Sequence, residues 1–166
     1  VCVGKKLEAD TLVTLFERGL IVGLKDSSGD DATLRRLTMA MAGTGFRSFT
    51  GSELLVDCAL QYGADGVVPG LGNVDPHGYA RLYAAARAGD WEAARREQER
   101  LIRLFDIVTA ASIPGMSVGA NAMGGFKTAL MLRGIISTNV VGLPQTRYDE
   151  AGVRAVERLL AAAQLA

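Results

Sequence analysis

Lys25 stands at the one place in this chain where covalent chemistry is easy to build. It follows an apolar run, Leu20-Ile21-Val22-Gly23-Leu24, and precedes Asp26-Ser27-Ser28-Gly29-Asp30, a segment of turn and helix-cap residues. The run reads as a short buried strand, so the lysine projects from the strand's C-terminal end, where α/β folds carry their active sites. An ammonium held there loses part of its hydration, and that loss favours the neutral amine, the form that attacks a carbonyl. Such a lysine can form a Schiff base. A lysine after a strand is also an ordinary solvated charge, and position alone does not separate the two readings.

Little else in the composition offers catalytic groups. His77 is the only histidine, so neither a histidine-based metal site nor a Ser-His-Asp triad is easy to assemble, and no metal is expected. Lys+Arg and Asp+Glu both total 18, so no basic surface points to nucleic acid. The 166 residues, 49% hydrophobic and 22% charged, have the length of one domain and the means to bury a sizeable core. No apolar run approaches the ~20 residues that span a bilayer, so no membrane partner is expected. Cys2 and Cys58, far apart, fit a reducing compartment and a cytoplasmic location. The start, Val1-Cys2-Val3-Gly4, lacks Met, a basic flank or a cleavage site and reads as the interior of a longer protein.

The elements that must position Lys25 alternate. A helix is predicted over Glu8 to Arg18 from Leu7, Leu12, Leu15 and Phe16, stopped by Gly19. The Leu20–Leu24 strand follows. Asp30-Asp31-Ala32-Thr33 supplies caps and first-turn acids for a helix through Leu34, Leu37, Met39 and Met41, broken at Gly43 and Gly45. Arg47-Ser48-Phe49-Thr50 is a second strand, Leu54 to Tyr62 a helix, and Ala64-Asp65-Gly66-Val67-Val68 a third strand. Pro76 opens a helix running to Gly89. This order is that of parallel βαβ units, whose right-handed crossovers put all strand C-termini on one face. Lys25, Gly51-Ser52-Glu53 and Pro69-Gly70-Leu71-Gly72-Asn73 would gather there. Three strands cannot close a barrel.

Beyond Gly89 the chain reads as helical. Trp91, Ala94, Gln98, Leu101, Ile102, Phe105 and Val108 trace one apolar stripe, and the intervening Arg and Glu residues read as a solvated face. Ser112-Ile113-Pro114-Gly115 breaks this helix; another runs from Val118 to Arg133, and the last, after Pro144, from Asp149 to Ala163. His77 reads as a surface residue at a helix start. The glycines between Gly119 and Gly125 lack the lysine-serine of a phosphate loop and read as close helix packing.

With these pieces in order, the chain resembles the C-terminal half of the dihydrodipicolinate synthase / N-acetylneuraminate lyase superfamily of class I aldolases. Gly23-Leu24-Lys25-Asp26-Ser27-Ser28-Gly29-Asp30 resembles its lysine strand, and Thr50-Gly51-Ser52-Glu53 its glycine-acid segment. The Gly63 to Pro76 segment resembles its glycine-rich last strand with an Asn-Val-x-Pro turn, and Phe126-Lys127-Thr128-Ala129-Leu130 with Gly134 and Pro144 its terminal helices. The resemblance implies the last three strands of a (β/α)8 TIM barrel over residues 1–89, with the lysine. It implies helices over residues 90–166 that pack on the barrel and make oligomer contacts. The family's Gly-Thr-Thr or Gly-Ser-Thr carboxylate loop and its Tyr-Asn-x-Pro tyrosine do not occur here. A missing N-terminal half is therefore an expected partner, along with further subunits of a dimer or tetramer.

The resemblance also implies a mechanism that needs no cofactor. Lys25 condenses with a 2-oxo acid, typically pyruvate; the imine becomes an enamine that attacks an aldehyde, or the reverse reaction cleaves the same carbon–carbon bond. Gly51 is implied to let substrate approach bare backbone, Val68 to touch pyruvate, and Ser27 and Glu53 to meet hydroxyls of the second substrate. Gly51 reads equally as a turn glycine and Val68 as core. Leu54 stands where sialic-acid lyases have a second acid. The Lys-Asp-Ser-Ser-Gly-Asp wording favours cleavage or synthesis of a 2-oxo-3-deoxy sugar acid. The alternatives are 4-hydroxy-tetrahydrodipicolinate synthase, a dehydratase of the same family, and a non-catalytic half-barrel remnant.

Overall fold

The computed structural model describes residues 6–111, 117–143 and 145–165. The predicted break at Pro114, the Pro144 boundary and Cys2 lie outside the described residues. Along the chain run α1 (Ala9–Glu17), β1 (Gly23–Asp26), α2 (Asp31–Ala40), β2 (Arg47–Thr50), α3 (Val56–Gln61), β3 (Gly66–Val67) and a 3₁₀ turn at Leu71–Asn73. Then come α4 (Pro76–Arg87), α5 (Trp91–Phe105), a 3₁₀ turn at Asp106–Val108, α6 (Val118–Leu132) and α7 (Glu150–Ala162). The three strands form one parallel sheet in the order β1-β2-β3, as βαβ alternation requires. The architecture is mixed α/β, the C-terminal part of a (β/α)8 barrel.

Local chemistry explains the element ends. Asp30 caps α2 by accepting from the Thr33 amide at 3.0 Å, and Asp149 caps α7 by accepting from the Gly152 amide at 2.9 Å. Gly19, at φ +68°, closes α1. Three boundaries depart from expectation. The first strand begins at Gly23, not Leu20, because the Leu20 amide still bonds the Leu15 carbonyl of α1; Lys25 therefore lies within the strand rather than after it. The third strand is two residues long, though Asp65 N→Ser48 O at 2.8 Å and Val68 N→Thr50 O at 3.0 Å extend its pairing on either side. Helix α3 starts at Val56, and Leu54 and Leu55 are exposed before it. Met39 and Leu7 are exposed too, since they fall off the buried faces of Leu34 and Leu37 and of Leu12.

The residues fall into two compact units: one up to Pro69 together with Ala80–Gln98, the other Gly70–Tyr79 together with the chain from Glu99 onward. In the first, Leu12, Leu37, Met41 and Phe46 form a core against which Phe16 and Leu24 pack, with Phe16 and Phe46 edge to face at 5.4 Å. Buried Gln98 accepts from the Val56 amide at 2.8 Å and donates to the Glu53 carbonyl at 2.9 Å, so α5 holds the start of α3. In the second unit, Leu101, Leu104, Ile107, Val156 and Leu160 are sealed. Gly125 lies against Ile107 and Gly124 against the Tyr148 ring, where a Cβ would come within 2.9 Å. The small residues of α6 therefore serve close packing, as the sequence suggests. The Tyr148 hydroxyl donates to the Ile107 carbonyl at 3.0 Å, and Arg133 donates to the Val74 carbonyl. Among the described residues no helix is long and apolar enough to cross a membrane.

Candidate active site

The register of the sheet decides which side chains can work together. Lys25 pairs with Phe49, and Phe49 with Gly66, so these three share one row on one side of the sheet. Ser48 and Thr50 point the other way and are buried, with the Thr38 hydroxyl of α2 donating to Ser48 Oγ at 3.0 Å. The side away from the helices therefore carries Gly23, Lys25, Arg47, Phe49, Gly66 and, just past β3, Val68.

At the C-terminal end of that side the lysine meets Gly51. A Cβ on Gly51 would lie 2.8 Å from Lys25 Cε and 2.9 Å from the Asp26 carbonyl oxygen, and would overlap Ser27 Oγ. Lys25, Ser27 and Gly51 thus converge, and Gly51 is a close-approach glycine rather than a positive-φ turn. Val68 is 49% exposed and lies beyond β3 on the open side. Glu53 is half-buried in the loop after β2, where its carbonyl anchors Gln98. The Gly70–Asn73 segment belongs to the other unit.

One expectation is corrected. Lys25 was to be poorly hydrated, yet it is exposed. The cause is geometric: Lys25, Arg47 and Val68 all stand open on this side of the sheet, so the described residues supply no cover for the amine. A cavity of about 420 Å³ does reach Lys25, running along the free edge of β1 between Lys6, Leu12, Asp26, Ser28 and Leu34. Gly51 and Val68 are not in its wall.

The turn after the strand is held by its own hydrogen bonds. Asp26 accepts from the Ser28 amide at 2.7 Å, Ser28 Oγ accepts from the Asp30 amide at 3.2 Å, and Lys6 pairs with Asp30 at 2.7 Å. The Lys6 ammonium and the Thr33 donors hold the Asp30 carboxyl well below the usual carboxylate range. Asp30 is therefore the cap of α2, and Ser28 closes the turn that leads into it. At the other end of the strands, burial opposes ionisation of Asp65, but the Ser48 amide and the Arg47 guanidinium outweigh it and keep that carboxyl low. His77 is exposed, as expected. Sequence reasoning missed Phe49, whose ring covers Gly66; the register alone brings it beside Lys25.

The family model described as the dihydrodipicolinate synthetase family matches residues 2–163. The 4-hydroxy-tetrahydrodipicolinate synthase of Laribacter hongkongensis is 35% identical over 158 residues, covering 94% of this chain and 50% of the relative. That of Kineococcus radiotolerans is 29% identical, covering 98% of this chain and 49% of the relative. The solved structure of dihydrodipicolinate synthase from Bacteroides thetaiotaomicron superposes with a TM-score of 0.86 at 26% identity, over 96% of this chain and 52% of that one. The chain thus spans about half the length of the relatives it matches. It belongs to the dihydrodipicolinate synthetase family.

Proposed function

We propose that Lys25 is the Schiff-base lysine of a pyruvate-dependent aldolase or lyase, acting on a 2-oxo-3-deoxy sugar acid. The observation that carries this reading is the convergence of Lys25, Ser27 and Gly51 at the C-terminal end of the parallel strands. Lys25 Nζ adds to the C2 carbonyl of the 2-oxo acid and water leaves, giving a protonated imine. The imine withdraws electrons from C3, so the C3–C4 bond of a 4-hydroxy substrate breaks, the 4-hydroxyl loses its proton, an aldehyde departs and an enamine remains. Protonation of the enamine and hydrolysis release pyruvate and restore the amine.

Gly51 keeps the space beside Lys25 Cε free of a side chain, and Val68 offers an apolar contact to the pyruvate methyl. Ser27 and Glu53 are the groups for hydroxyls of the departing part. The 166 residues by themselves are expected to be inactive, because the amine is uncovered, with the remaining strands of the barrel and further subunits completing the site. A second reading, condensation of pyruvate with aspartate semialdehyde, is favoured by the name of the relatives, 4-hydroxy-tetrahydrodipicolinate synthase.

The test uses the full-length protein and coupled detection of pyruvate. Release of pyruvate from a 2-oxo-3-deoxy sugar acid, lost in Lys25→Ala, supports the first reading. Condensation with aspartate semialdehyde and no cleavage of sugar acids supports the second. Neither activity, with no pyruvate adduct, leaves a non-catalytic role.

A further inference from the structure

We propose that Phe49 is a positioning residue for Lys25, its ring bounding the β3 side of the space into which the lysine rises; this rests on the aldolase reading above. Phe49 is in register with Lys25 on one side and Gly66 on the other, and parallel neighbours in a sheet lie about 4.8 Å apart. Its ring leans away from the lysine and over β3. A Cβ on Gly66 would lie 3.2 and 3.3 Å from ring atoms Cε1 and Cδ1, and Gly66 is buried on a side of the sheet where Lys25, Arg47 and Val68 are exposed. Gly66 has no positive φ to justify a glycine. The ring is what its missing side chain accommodates.

One row above sit Ser27, Gly51 and Val68. The lysine leaves the Phe49 row and carries its Cε to Gly51. An aromatic ring held over β3 in the row beneath stops the flexible stem from swinging across towards β3. Gly51 above and the Phe49 ring on the β3 side thus bound a side chain that has four rotatable bonds.

The experiment compares Phe49→Ala, Phe49→Leu and Gly66→Ala with the parent in the full-length protein, measuring kcat, KM for pyruvate formation and the rate of borohydride trapping with pyruvate. Phe49→Ala is expected to lower kcat and the trapping rate by about 10- to 100-fold with KM within about twofold, since misplacing a reacting group by an ångström carries a penalty of that size. Phe49→Leu restores bulk and should recover to within about threefold of the parent. Gly66→Ala, which must displace the ring by a few tenths of an ångström, should give a smaller loss in the same direction. Folded fraction is read in parallel from the thermal transition. If Phe49→Ala keeps the parent's kcat, or if Phe49→Leu does not rescue a folded protein, Phe49 does not position the lysine, while a parent that is still trapped on Lys25 leaves the aldolase reading intact. A parent that is never trapped overturns both.

Discussion

On the helix-facing side of the sheet, Leu24 packs against the Leu12, Leu37, Met41 and Phe46 core, and Ser48 and Thr50 are sealed with their hydroxyls engaged. On the opposite side, one residue along the same strands, Lys25, Arg47 and Val68 stand in the open. Strand residues alternate between faces, so a single register places one set in a packed core and the other on a surface that the described residues do not cover. The packed side stabilises the unit. The open side holds the lysine, the close-approach glycine and the exposed valine, and it is where substitutions should alter chemistry more than folding.

The contrast can be broken most forcefully at Leu37. Leu37→Ala leaves a cavity in the sealed core and should cost about 2–5 kcal/mol in a denaturant titration, whereas Val68→Ala should cost less than about 1 kcal/mol. Equal losses would dissolve the distinction between the two sides. Gly51→Ala comes next: its methyl would meet Lys25 Cε, Ser27 Oγ and the Asp26 carbonyl, and kcat/KM of the full-length protein should fall about 100-fold. A Gly51→Ala enzyme with parental turnover would mean that the lysine does not work beside this glycine.

Gln98→Ala removes the partner of the Val56 and Asp57 amides and of the Glu53 carbonyl. It should cost about 1–3 kcal/mol and loosen the loop that carries Glu53, seen as faster hydrogen exchange at Val56 and Asp57. The smallest effect is expected at Tyr62, whose hydroxyl is buried without a partner among the described residues. Burial pushes this phenol up to about 12 from 10.0. A raised folded-state value means stability that is complete below pH 10 and lost as pH climbs towards 12, because the unfolded chain ionises first. Tyr62→Phe should be neutral or stabilising by up to about 1 kcal/mol and should flatten that alkaline decline in thermal scans. Unchanged alkaline sensitivity would place its origin elsewhere.

The helices were legible because their signals are local. Caps at Asp30 and Asp149, stops at Gly19 and Gly134, and the periodicity of Leu34 and Leu37 can all be read within a few residues. The strands were less so. Leu20 and Val22 look like core β residues, yet the α1 C-terminal bond to the Leu20 amide keeps the segment out of the sheet, and that is visible only once the chain is folded. The site was half legible. Lys25 and Gly51 stood out by type and order, and the structure brings them together. The lysine's hydration was not legible, because it depends on what covers the open side. Phe49 was missed for a related reason: its contact with Gly66 spans two strands and leaves no local mark.

The most direct test of Lys25 as the reactive nucleophile is peptide mass mapping of the full-length protein treated with pyruvate and borohydride. The account predicts one reduced pyruvate on the peptide that contains Lys25, and none in Lys25→Ala. An adduct on another lysine, such as Lys6 or Lys127, or an undiminished adduct in Lys25→Ala, would contradict it.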